Sequence, residues 1–151
     1  MSRPSSTSIV TITATVAVAA GVAMRPTPAP AGAAPAEIAC TAKDTGQTLS
    51  GTIPRDTDDL ELTLDDGKGH AHTWNDPEAL VMTSELGDQL LLMHLPGRPQ
   101  LTFWALPDTM KVKTARHEEH ARFDAKAKVI GLGGDSTPRT LRLACTYDYS
   151  I

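Results

Sequence analysis

The segment ARFDAKAKV, residues 121–129, alternates apolar or small residues with polar ones at every step. A period of two places Ala121, Phe123, Ala125, Ala127 and Val129 on one side of an extended strand, and Arg122, Asp124, Lys126 and Lys128 on the other. One face is core and one is water. The same period recurs along the chain. In DLELTLDDGKGHAHTW, Leu60, Leu62 and Leu64 share a face and Asp66-Gly67 supplies a hairpin turn. DQLLLMHLPGRPQLTFWAL reads as a second hairpin around Pro96–Pro99, and TMKVKT alternates as a strand. RTLRLACTYDYSI closes the chain, with Leu141, Leu143 and Cys145 on one face and Arg142 on the other. One segment departs from the pattern: NDPEALVMTSELGDQ has Asp76 placed as an N-cap, Pro77 at the first helical position and Gly87 as a stop, which predicts a short helix near 77–86. The expected fold is mainly β, a single small antiparallel barrel or sandwich of about 7–8 short strands.

The two cysteines, Cys40 and Cys145, bracket this region. In an oxidising compartment they pair and join the first strand to the last. The start of the chain supplies the compartment. Arg3, an apolar stretch from Ile9 to Ala23 and then small residues and prolines have the layout of a secretory signal peptide. The stretch falls short of the roughly 20 apolar residues of a membrane span. The organisation read from this is a signal peptide over 1–23, with cleavage anywhere up to 36, a Pro/Ala-rich leader over 24–36 and a β domain over 37–151. The expected location is secreted or periplasmic, with no integral membrane span in the mature protein. A rival reading, in which IAC marks Cys40 for lipidation, meets Glu37 where an apolar residue is expected and leaves Cys145 unpaired.

Charge narrows the partners. All 18 acidic residues lie beyond Ala36, while Arg3 and Arg25 lie before it, so the mature domain is more acidic than the whole chain, whose net charge is −4. That balance argues against nucleic acid and anionic membrane, and leaves a basic macromolecule or a cation.

Candidate chemistry is sparse. RHEEH holds His117 and His120, and HAH holds His70 and His72. Pairs of imidazoles suit zinc or copper, with Met82 or Met93 as further donors. HEEH has one residue too few for the zinc-protease helix, and it falls where two strands must connect, so an exposed charged loop is expected there. For HAH the turn decides. A two-residue loop at Asp66-Gly67 puts both histidines outside, with His72 opposite Glu61; a three-residue loop moves them to the leucine face. The outside placement is favoured, because burying two imidazoles without partners is costly. No P-loop, nucleophile elbow or EF-hand pattern is present. Among the aromatics, Trp74, Phe103 and Trp104 are candidates for partner contact; Phe103 and Trp104 are adjacent and must face opposite sides of a strand.

An acidic, disulfide-closed β domain of this size is similar in general profile to bacterial inhibitors of basic lysozymes, which are also small β barrels. The resemblance implies an inhibitor-like domain that meets a protein or envelope component. The function expected is therefore a secreted, non-catalytic binding domain without cofactors. Two alternatives stand beside it: a periplasmic metal-binding protein using the histidine pairs, and a small hydrolase whose site the sequence does not display.

Overall fold

The computed structural model describes residues 35–55, 59–76, 80–83 and 92–150. The expected signal peptide, and the leader up to residue 34, lie outside these. Among the described residues there are ten strands: β1 (Ala36–Ala42), β2 (Thr48–Ile53), β3 (Glu61–Asp65), β4 (Ala71–Trp74), β5 (Val81–Thr83), β6 (Leu92–Leu95), β7 (Gln100–Ala105), β8 (Lys111–Ala115), β9 (Glu118–Ile130) and β10 (Arg139–Ser150). They pair in the order β4-β3-β2-β1-β10-β9-β7-β6-β5, with β8 beside β9. This sheet winds into a nearly closed antiparallel barrel of eight strands, the barrel alternative of the two fold expectations. Ala36, counted above with the leader, is fully buried and opens β1 opposite Ile53.

Side-chain alternation explains the barrel's inside and outside. Along β9, Ala121, Phe123, Ala125, Ala127 and Val129 are buried, whereas Arg122, Lys126 and Lys128 are exposed. The inward alanines of β9 leave room for large neighbours: Phe103 of β7 lies opposite Ala127, and its ring meets Phe123 edge-on at 6.4 Å. Leu49, Leu62, Leu64, Met93, Leu95, Leu101 and Leu143 complete a packed interior. A cavity of about 10 Å³ under the loop 131–138, beside Gln47 and Leu141, has room for roughly one water. The barrel is filled by its own side chains.

Gly51 carries the closest backbone approach in the wall. With φ at +144°, it lies so near the carbonyl of Glu61 that a Cβ would overlap that oxygen. Only glycine fits.

Two features of β9 shape its neighbours. One edge is paired along its length with β10; the other pairs with β7 over Ala125–Ile130 and with β8 over Glu118–Arg122. Thus β7 and β8 act as one strand interrupted by a 3-10 turn, Pro107–Thr109. The Thr109 hydroxyl locks that turn in place, accepting the Asp124 N–H at 2.8 Å and donating to the Leu106 carbonyl at 2.7 Å.

The expected helix is corrected in its middle. Val81–Thr83 is a strand, with Val81 opposite His94 and Met82 opposite Met93. Pairing with β6 satisfies the backbone and overrides the local cap signals. Residues 77–79 and 84–90 lie outside the described ones. Among the described residues, no helix is long and apolar enough to cross a membrane.

Cys40 and Cys145 face each other across the β1–β10 ladder and form the expected disulfide, buried on both sides.

Candidate functional site

Strand register distributes the three candidate aromatics. Trp74 lies opposite Leu62 and is 7% exposed, and Phe103 is fully buried. Trp104, one residue further along β7, points outward and is half-buried. It sits in one cross-strand row between Leu92 of β6 and Lys126 of β9. Leu92 is itself 37% exposed, so the two form an apolar step on the outside of the barrel. Lys126 continues the row to Arg142 of β10, whose guanidinium is held by Asp44 at 2.8 Å and 3.1 Å.

The same outer face carries Lys128 opposite Thr102, and Arg122 opposite Lys111. An open groove of about 690 Å³ runs over β8, β9 and β10 at Lys111, Arg122 and Thr146. Its carboxylate, Asp124, is paired with Lys43 at 2.7 Å. Composition did not reveal this juxtaposition, because it depends on which strands are neighbours. The alternation in ARFDAKAKV does show that the lysines share a face. That this face lies beside Trp104 follows from the β7–β9 register.

The histidines are dispersed over two hairpins. In the β3–β4 hairpin, Leu64 lies opposite His72 and Leu62 opposite Trp74. The Asp66 N–H donates to the His70 carbonyl at 3.0 Å, which leaves Gly67, Lys68 and Gly69 as the connecting loop. This is the three-residue alternative considered for HAH, and the two-residue turn is corrected. His72 takes the parity of the leucines rather than the favoured outside, half-buried with its ring edge-on to Trp74 at 4.7 Å. The cause is Asp66, whose side chain organises the loop: it accepts from the Lys68 N–H at 2.7 Å and the His70 N–H at 3.1 Å, and contacts His70 Nδ1 at 2.7 Å. Burial pushes the Asp66 carboxyl up, but these hydrogen bonds and the nearby imidazole outweigh it and hold the group below the usual carboxylate range. His70, in turn, packs against Gly133. There Asp135 is held below its ordinary range by hydrogen bonds from the Thr137 N–H and from Arg139.

RHEEH is the β8–β9 connection and is exposed at Arg116, His117, Glu118 and His120. Its turn is shorter than the loop expected. Ala115 pairs with Glu118, leaving Arg116 and His117 as a two-residue turn, with Arg116 at φ 55°. Glu118 and Glu119 belong to β9. Glu119 is half-buried and accepts hydrogen bonds from the hydroxyls of Tyr149 and Thr114. His120 faces Asp148 of β10, with Nδ1 2.5 Å from its carboxylate. Met93 is fully buried in the core. Among the described residues, no three His, Cys, Asp or Glu side chains gather into a group able to hold a metal.

No protein-family model, curated protein or solved structure matches the chain.

Proposed function

We propose that this protein is a non-catalytic binding domain that acts outside the cytoplasm, and that its contact face is the outer sheet around Trp104. The observation that carries the reading is the position of that side chain. A half-buried tryptophan beside an exposed leucine, on a sheet whose interior is already packed, offers a partner a large rigid apolar anchor. A disulfide joining the first and last strands is compatible with export and with an extracellular or periplasmic working place.

The test is a pull-down from envelope and secreted fractions with the disulfide-closed protein, followed by calorimetry on the component retained. Trp104→Ala is expected to weaken binding by at least about tenfold, since truncating a central aromatic anchor costs on the order of 2 kcal/mol or more. Retention that is indifferent to Trp104→Ala removes this face from the reading.

A further inference from the structure

The acidic balance of the chain hides a division of charge. Twelve of the 18 acidic residues precede Leu92, whereas nine of the 14 basic ones follow it. Among the described residues, part of that division is carried onto the outer face of the sheet. The outward positions of β1, β2 and β3 include Glu37, Glu61 and Asp65, separated by serines and threonines and without a lysine or arginine. On the other side, β8 and β9 turn Lys111, Arg122, Lys126 and Lys128 outward. Among the described residues, none of these four cations has an ion-pair partner, since Asp124 is occupied by Lys43 and Asp44 by Arg142. Two pairings even oppose like charges, Lys111 with Arg122 and Lys126 with Arg142. Such pairs destabilise a sheet.

Resting on the reading of Trp104 as a contact residue, we infer that this face docks an acidic segment of a protein, although the chain as a whole is acidic. An apolar side chain of the partner covers Trp104 and Leu92, and its carboxylates meet Lys126, Lys128 and Arg122. The spacing favours a polypeptide over a glycan: Lys126 and Lys128 are alternate residues of one strand, about 6.5–7 Å apart, the same repeat as alternate carboxylates on an extended peptide. A basic partner, which net charge alone would suggest, meets repulsion at this face.

The test uses Trp104 emission as the readout, with the Trp104→Phe variant supplying the Trp74 background. Poly-L-glutamate, poly-L-lysine and polygalacturonate are titrated at low salt and again at about 300 mM salt, where exposed charges are screened beyond a few ångströms. Poly-L-glutamate is expected to shift the emission, with a midpoint raised at least about tenfold by added salt and by Lys126→Glu with Lys128→Glu. Lys126→Gln with Lys128→Gln serves as the milder variant, and an unchanged melting temperature controls for folding. A poly-L-glutamate midpoint indifferent to these substitutions overturns the proposal, as does a response to poly-L-lysine instead. Tighter binding of polygalacturonate assigns the face to an anionic glycan and overturns the peptide occupant. A doubled mass by light scattering without any probe, lost on charge reversal, assigns it to a second copy. A natural partner that needs Trp104 but ignores charge reversal leaves the proposed function standing and removes this inference alone.

Discussion

Asp66 shows how one side chain fixes a register. Its carboxylate gathers two backbone N–H groups and the His70 ring, and so closes a three-residue loop, where the sequence offered this length and a two-residue turn alike. Asp-Gly is a strong hairpin signal, but an aspartate can also bond its own backbone two residues on, and no spacing rule says which use prevails. The side of the sheet taken by His72 was therefore not legible, whereas the shared face of Leu60, Leu62 and Leu64 was. The depressed carboxyl has a pH consequence. Because folding holds the Asp66 proton affinity below its unfolded value, its stabilising contribution is complete above the ordinary carboxylate pKa of about 3.9 and is lost as pH falls through and below it. Asp66→Asn is expected to lower the melting temperature at pH 6, and the gap to the parent should narrow steadily as pH falls toward about 2. Asp135, depressed in both proteins, cancels from the comparison. A gap that is constant with pH would show that the loop depends on the shape of Asp66 and not on its charge.

Among the elements, β9 and β10 were the most readable, because each alternates for a dozen residues and a long period leaves little ambiguity. The β8–β9 connection is a tighter turn than the exposed loop expected there. The turn uses Arg116 in the left-handed region, a conformation that sequence preference alone assigns to glycine or asparagine, so its tightness was not legible. What was legible was its exposure. His117 lies in the turn and His120 pairs with Asp148 at a site where both side chains are more than two-fifths exposed. Exposed pairs of this kind contribute about 0–1 kcal/mol. Substituting His117 and His120 together by Ala is accordingly expected to change stability by no more than about 1 kcal/mol in chemical denaturation. Added zinc or copper should leave the melting temperature of the parent unmoved. A rise in the parent that the double substitution abolishes would promote the metal reading to first place.

For the whole molecule, the sheet order divides the barrel into two meanders. One is β1 to β4 and the other β5 to β10, and among the described residues β1 and β10 form the hydrogen-bonded seam between them. The disulfide crosses that seam, linking positions 105 apart in sequence. The cysteine pairing was legible from the even count and the expected compartment; its place at the join was not, because it requires the strand order. In the chain-entropy model, closing a loop of about 100 residues removes on the order of 4–5 kcal/mol of unfolded-state freedom, a large part of the 5–15 kcal/mol that holds a typical domain together. Cys40→Ala with Cys145→Ala is expected to lower unfolding stability by about that amount, and the melting temperature by on the order of 20 °C. Hydrogen exchange adds a spatial test. Without the bond, amides of β1 and of the middle of β10 should lose protection before those of β7 and the second half of β9, because the latter pair within one meander and the former hold two meanders together. Equal loss throughout would mean that the barrel opens as one unit and that the staple acts on the unfolded chain alone; an unchanged melting temperature would mean that the packed interior holds the seam without it.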